Sequence, residues 1–184
     1  MVKLTLLFAL PFGVFPWFQD EPEFPKPAKE HSILRQFEGD WDAQCRILGH
    51  GAERDALESS GREYAKLGYG GFWLTLDFSG EMHEKSFEGR GTIGWDPLKK
   101  KYLVTWFDSL NPRMLIAEGD ADPSGRILTV EATVVDPVCQ EPYQKKLVFE
   151  IKDKTTRTLN FIMTDDEGKD RRLMEIVYTR RKSP

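Results

Sequence analysis

Asp77 and Asp108 are the acidic residues whose surroundings could give them catalytic chemistry. Each lies near the end of a predicted strand beside aromatic side chains, Trp73 for Asp77 and Trp106 with Phe107 for Asp108. An apolar neighbourhood can shift a carboxyl pKa and so create an acid or base for catalysis. Aspartates at strand ends also bond turn amides, and this structural interpretation is the one we favour. No residue is therefore assigned a catalytic role.

The histidines and cysteines show no spacing typical of a metal site. His31, His50 and His83 fall on a predicted helix, a loop and a strand end, and Cys45 and Cys139 stand apart without a CxxC motif. Structural zinc sites need such clustered ligands. The sequence thus predicts no metal and no cofactor. Two interpretations of the cysteines remain open, a disulfide in an exported protein or two free, buried thiols.

The segment from Gly89 to Gly94 matches the GxGxxG motif. A dinucleotide fingerprint requires a helix directly after the glycines, so that the helix N-terminus can hold the pyrophosphate. Trp95, Asp96 and Pro97 follow instead and begin a turn. We therefore interpret the glycines as positions in a strand that allow close packing against a neighbouring side chain.

Composition favours one globular domain without a nucleic-acid partner. The chain has 184 residues, is 40% hydrophobic and carries a formal net charge of -4. This length supports one well-buried core. Charges of both signs are interspersed, and no basic block of the kind that follows a phosphate backbone is present.

Residues 1–18 have the pattern of a secretory signal peptide. Lys3 and the amino terminus precede an apolar run from Leu4 to Phe18, and an acidic, proline-rich linker follows over residues 19–27. This order predicts export, although bulky residues stand where small ones usually precede a cleavage site. An uncleaved anchor is the alternative, but the run is shorter than the roughly 20 residues that span a bilayer. We expect a secreted or periplasmic protein whose mature chain has no membrane span.

The alternation and turn spacing of residues 28–184 predict a single all-β domain. A short helix is expected between Pro27 and Phe37, and after Gly39 alternating segments of strand length recur to the end of the chain. Short turns join neighbours antiparallel, and closure removes the two exposed edges of so long a meander. The prediction is an antiparallel up-and-down barrel of about ten strands, at 40–48, 57–67, 71–79, 86–95, 101–109, 113–121, 126–135, 145–152, 156–164 and 171–180.

The last predicted hairpin fixes a register. With Glu167 and Gly168 at its apex, Phe161 faces Met174, Leu159 faces Ile176, and Arg157 faces Tyr178. Apolar partners then share the inward face with an arginine. An isolated buried charge is too costly to keep, so Arg157 must pair with a carboxylate of the protein, reach the barrel mouth, or receive an anionic ligand.

Trp41 and the late arginines suggest how one end of the barrel is closed. Gly39-Asp40-Trp41 opens the first strand and Arg180-Arg181 ends the last, and closure makes these two strands neighbours. We expect an arginine to cover the indole as a cation–π lid. A GxW start with a late arginine resembles the lipocalin and wider calycin pattern.

A longer resemblance covers nearly all of the chain after Pro27. It rests on the segments FEGDW (37–41), GGFW (70–73), FEGRGTIGWDP (87–97), TWFDS (105–109) and MEIVYT (174–179). Together they resemble a bacterial family catalogued only as domain of unknown function 1579. The resemblance implies a calycin-like barrel and brings no established activity or functional residues.

The barrel architecture and its interior aromatics predict a binding module for a small apolar or amphipathic ligand. The candidate ligand-binding residues are Arg157, Tyr178, Phe149, Phe161, Trp106 and Asp108. Two alternatives remain open, a structural or envelope protein with a filled interior and no ligand, and a small-molecule enzyme at the barrel mouth using Asp77 or Asp108. Fold alone does not choose among them.

Overall fold

The computed structural model describes residues 24–48, 56–82, 85–135, 140–165 and 167–182. The predicted signal peptide (1–18), most of the linker (19–27), His50, His83 and Cys139 lie outside the described residues. Cys45 is buried with a free thiol.

Ten strands follow one short helical segment, as the sequence predicts. A 3-10 turn over Lys29–Ile33 runs directly into the one-turn helix α1, Leu34–Phe37. The strands are β1 (Gly39–Ile47), β2 (Leu57–Gly68), β3 (Trp73–Met82), β4 (Lys85–Asp96), β5 (Lys101–Asp108), β6 (Asn111–Ala121), β7 (Ile127–Val135), β8 (Pro142–Ile151), β9 (Thr156–Thr164) and β10 (Asp170–Arg180).

The strands form a closed antiparallel barrel in which each strand pairs with its neighbours in the chain. β1 also pairs with β10, which closes the sheet. Up-and-down connectivity arises because the turns are short and chemically specific. Asp122 accepts backbone hydrogen bonds from Ser124, Arg126 and Ile127, and Gly168 has a φ of 79° that glycine adopts without strain.

The β9–β10 hairpin has the register that the sequence predicts in its paired core. Phe161 lies opposite Met174, Leu159 opposite Ile176, and Arg157 opposite Tyr178. A bulge between Arg172 and Met174 shifts the register nearer the turn. The extra residue offsets the alternation of β10 between the bulge and the turn, and the pairs from Met174 onwards keep the predicted register.

Helix α1 and Trp41 fill one end of the barrel. Trp41 is 1% exposed, and its indole Nε1 donates to the Phe37 carbonyl oxygen at 2.9 Å. The Arg180 guanidinium lies 4.1 Å from the indole ring centroid and donates to the backbone carbonyl of Glu38 at 2.7 Å. The predicted cation–π lid is confirmed, with Arg180 as the covering residue.

The GxGxxG segment lies within β4, where its glycines make room for tryptophans. A Cβ at Gly89 would overlap the six-membered ring of Trp106, and one at Gly94 would overlap Trp73. The packing interpretation is therefore confirmed. On the neighbouring strand β5, Phe107 is 45% exposed and lies on the outer face.

Candidate functional site

Arg157 lies in the half of the barrel that contains α1 and Trp41, which we call the closed half. The residue is 1% exposed, and its Nη2 donates to Oε1 of Glu63, which is 2% exposed. The guanidinium carbon lies 4.0 Å from the Tyr178 ring centroid and 4.6 Å from that of Trp41. A buried carboxylate and two aromatic faces thus compensate the charge.

Tyr178 belongs to this cluster as a neutral phenol. Burial raises the pKa of its hydroxyl well above the usual value, and the negative charge of Glu63 acts in the same direction. Of the polar side-chain atoms in the cluster, Nε of Arg157 has no hydrogen-bond partner. The arrangement holds the charge of Arg157 in place beside a phenol that keeps its proton.

The pairing with Glu63 answers the question that the sequence leaves open for Arg157. A ligand carboxylate at Arg157 and Tyr178 would have to displace Glu63 from a site with almost no solvent contact. Phe149 is also buried and packs edge-on against Phe37, with ring centroids 6.0 Å apart. Ligand contacts by Arg157, Tyr178 and Phe149 stay predictions.

The opposite half of the barrel, which we call the open half, has a more accessible interior. Inward-facing apolar side chains there pack against the core yet are only half-buried, namely Trp106, Leu115, Val134, Phe161 and Met174. Their counterparts one or two positions nearer the closed half, such as Val104, Ala117 and Leu159, are buried. Solvent therefore reaches apolar interior surface from this end.

Asp108 is the last residue of β5, in the open half, and both of its carboxylate oxygens accept hydrogen bonds. Its Oδ2 accepts a hydrogen bond from the Trp106 indole Nε1 at 3.0 Å, and its Oδ1 accepts from the backbone amides of Leu110 and Asn111, each at 2.9 Å. The carboxylate thereby fixes the tryptophan and the β5–β6 turn. This geometry supports the structural interpretation of Asp108 over a role as acid or base.

Lys145 is an inward-facing cation in the open half that the sequence analysis did not single out. It follows the alternation of Leu147, Phe149 and Ile151 on β8, and its Nζ lies 5.0 Å from the Phe161 ring centroid. Burial lowers the pKa of its amine, and the charge of Asp108 opposes that shift. Among the described residues, no carboxylate lies within ion-pair distance of this amine.

The seam between β6 and β7 is incomplete at the same end. Their ladder pairs Glu118 through Ala121 with Leu128 through Glu131, and among the described residues of β6 and β7 it extends no further. The Arg113 guanidinium donates across this seam to the Val135 carbonyl oxygen at 3.2 Å. Beside it, Met114 and Ile116 are 55% and 64% exposed. The incomplete ladder of the barrel wall thus lies at the end where the interior is most accessible.

A concavity lies on the outer face across β2 to β5. It measures about 690 Å³ and is bounded by the exposed rings of Tyr64 and Phe107. Between them Asp77 forms an ion pair with Arg90. Most of its lining points away from the interior, so it is distinct from the predicted ligand cavity. Asp77, the other candidate acid or base, is an outer-face residue with a cationic partner.

Two interior residues escaped the sequence analysis, Glu63 and Lys145. Each had a usable signal, because each occupies an inward position in an otherwise apolar alternation, Glu63 with Ala65 and Leu67 and Lys145 with Leu147. A charged residue in an inward series requires a partner or solvent. Applying that rule to all ten strands would have identified both.

In the described part of the chain, no group of three or more histidine, cysteine or acidic side chains is arranged to hold a metal ion. Among the same residues, no helix has the length and apolarity needed to cross a membrane.

Comparison with known proteins gives the following matches. The family model described as "Protein of unknown function (DUF1579)" matches residues 26–180. No curated protein matches the sequence. Two solved structures with similar folds are a redesigned beta barrel (TM-score 0.41, 11% identity, covering 86% of this chain and 100% of the other) and a redesigned beta barrel, mFAP0, bound to DFHBI (TM-score 0.43, 12% identity, covering 79% and 99%).

The family match spans every strand of the barrel, from the segment before α1 to the end of β10. The segments that carry the sequence resemblance occupy defined positions in the fold: the entry to β1 with Trp41, the glycines of β4, and the tryptophan of β5. The chain therefore belongs to the DUF1579 family of proteins of unknown function.

Proposed function

We propose that this protein binds a small apolar or amphipathic molecule in the open half of its barrel. The observation that supports the proposal is the contrast between the two halves of the interior. Most inward-facing side chains of the closed half are buried, and those that are half-buried, Leu67, Trp95 and Ala121, lie near its strand ends. In the open half, Trp106, Phe161 and Val134 keep contact with solvent, although Phe78 and Phe87 are buried there. Apolar surface that the fold leaves accessible gains free energy when a ligand covers it.

The size of the barrel supports the same proposal. Barrel diameter grows with strand number, and about eight strands already give an interior that side chains fill or that holds one small ligand. Ten strands enclose more space. The closed half uses α1, Phe37 and Trp41 as additional filling, and the open half has no equivalent element among the described residues.

Trp106 and Phe161 are the ligand contacts that we retain from the sequence analysis, with Asp108 holding Trp106 in place. The indole lies against Gly89 and Gly91 on the inner wall, where the lack of side chains lets it lie flat. Asp108 then restricts its rotation through the hydrogen bond to Nε1. An aromatic surface held in this way loses little conformational entropy when a ligand packs on it.

Export to the periplasm or the exterior remains part of the proposal. Its support is the leader-like order of residues 1–18, and the family match begins only at residue 26. The intact mass of the protein purified from its native source tests it. A mass lacking about the first 18 to 26 residues is expected, and a full-length product would contradict export.

A neutral solvatochromic dye and two adjacent valines test the ligand site. Val134 faces the open interior and Val135 faces outward with 42% exposure. Val134→Trp should fill ligand space and weaken dye binding by about tenfold or more, because the bulkier side chain competes for the same apolar surface. Val135→Trp adds the same group outside and should leave the affinity unchanged.

The two valine variants distinguish specific binding of the dye in the interior from its nonspecific binding elsewhere on the protein. Fluorescence titration of the dye measures its affinity for wild type and for each variant. Equal dye affinity in Val134→Trp and wild type would place the dye elsewhere and contradict the proposal. Absence of binding to the wild type would instead support a structural protein without a ligand.

A further inference from the structure

We propose that Lys145 anchors the head group of an anionic amphipath whose apolar tail packs on Trp106 and Phe161. The inference rests on the proposed function and names the ligand class for the same site. Its basis is the position of Lys145, an inward-facing cation amid apolar side chains in the part of the interior that solvent still reaches.

The immediate neighbours of Lys145 on the inner face are apolar. Across the ladders it pairs with Ala132 on β7 and Met163 on β9, and Leu147 follows it along β8. The amine lies over the Phe161 ring at 5.0 Å from the centroid. An aromatic ring partly stabilises a cation that lies over its face, even without an anion. The Lys145 amine can therefore stay charged and still bind an anion.

Asp108 is the acidic group whose charge acts on Lys145, and both of its oxygens already accept hydrogen bonds. Asp108 receives hydrogen bonds from Trp106 and from two backbone amides, and it influences the lysine at a distance. No described ion pair satisfies the Lys145 amine. A ligand carboxylate would supply the direct partner that Lys145 does not find among the described residues.

The neighbouring lysine shows what a structural lysine looks like in this strand. Lys146 faces outward and lies 2.9 Å from Asp170 and 3.9 Å from Glu131. Both lysines lie on β8, yet of the two only Lys146 lies within ion-pair distance of a carboxylate among the described residues. The difference assigns surface ion pairing to Lys146 and leaves Lys145 for an anion in the interior.

A desolvated, unpaired cation is also a structural cost, which distinguishes anchoring from a stabilising role. Removing the Lys145 charge should leave the melting temperature unchanged or raise it, because the amine gives up hydration without a direct partner in the protein. A residue kept for stability would behave in the opposite way.

The test compares a dansyl-labelled undecanoate with its methyl ester, which have the same tail and label but differ in head-group charge. Wild-type protein should bind the acid about tenfold or more tightly than the ester, as expected for a charge-assisted hydrogen bond in an apolar setting. Lys145→Met should abolish this preference by weakening the acid and sparing the ester. Lys145→Arg should restore it, and Lys146→Met should leave it intact.

The results test two claims separately: that Lys145 anchors the head group, and that the open half binds the tail. If wild type bound the acid and the ester equally, or if Lys145→Met still preferred the acid, Lys145 would not be the anchor. Binding of the ester in either case would still support the proposed function. Failure of both probes to bind wild type would overturn the site and the anchor together. Lys145→Gln, which keeps a polar side chain of similar reach, replaces Lys145→Met if the latter does not fold.

Discussion

Each half of the barrel interior contains an inward-facing cation, and these two cations have very different surroundings. In the closed half, Arg157 is surrounded by Trp41 and Tyr178 and paired with Glu63, all nearly inaccessible to water. In the open half, Lys145 has an aromatic neighbour and no direct carboxylate among the described residues. Full burial obliges the protein to supply an internal counter-charge, whereas partial exposure does not. The contrast separates a charge that holds the fold together from one that is available for binding.

The sharpest challenge to this comparison uses one tryptophan from each half. Trp41→Ala should lower the free energy of unfolding by about 3–5 kcal/mol, because it removes a buried aromatic together with its contacts to two arginines. Trp106→Ala should cost clearly less, since its ring is only half-buried. Urea unfolding of both variants measures the difference, and equal losses would show that the two halves are packed alike.

A smaller effect is expected when the charge inside the closed half loses its partner. Glu63→Gln should destabilise the protein by about 3 kcal/mol, because Arg157 keeps its charge in an apolar site. The double variant Glu63→Leu with Arg157→Met should recover much of that loss. The matched control is Asp77→Asn on the outer face, where the ion pair with Arg90 is solvated and should contribute about 1 kcal/mol or less. A Glu63→Gln variant as stable as Asp77→Asn would contradict the distinction.

Alkaline pH should weaken the closed half by a still smaller amount through Tyr102. Burial raises the pKa of this phenol to about 12, and its hydroxyl donates to the Glu30 carbonyl oxygen at 2.7 Å. The folded state keeps the proton to a higher pH than the unfolded chain, whose phenol titrates near 10. The stabilisation is therefore intact below pH 10 and declines by about 2–3 kcal/mol as the pH rises towards 12.

Tyr102→Phe checks that assignment. The variant should be less stable than wild type at neutral pH through loss of one hydrogen bond, yet its stability should fall less between pH 9.5 and 11.5. Tyr64→Phe changes a half-exposed tyrosine of the outer face and serves as the control. Wild type and Tyr102→Phe with the same alkaline slope would contradict the role given to this phenol.

Much of the architecture was predictable because its signals are local. Alternation and turn residues place all ten strands within a few residues of their observed bounds, and the hairpin at Gly168 gives the pairing of Arg157 with Tyr178. The cation–π lid on Trp41 also followed, because closing a meander forces its first and last strands together. Boundaries were less certain where no turn residue marks the start of a strand, as at the beginning of β8.

The candidate site was harder to predict because it depends on distances around the barrel. Glu63 and Arg157 are 94 residues apart, and alternation indicates only that each faces inward. Phe107 and Trp106 have equal apolar character in the sequence, yet one is exposed on the outer face and the other lies in the interior.

Periodicity of side chains and turn chemistry were enough to specify strand number, direction and closure, since each arises from interactions between residues close in the chain. Which end is filled, which buried charge finds a partner and where apolar surface stays accessible arise from side chains on strands far apart in sequence. Burial and counter-charge are set by the full three-dimensional neighbourhood. For that reason Arg157, the cation suggested by the sequence as a ligand anchor, is the one held by Glu63, and Lys145 came to attention only in the folded barrel.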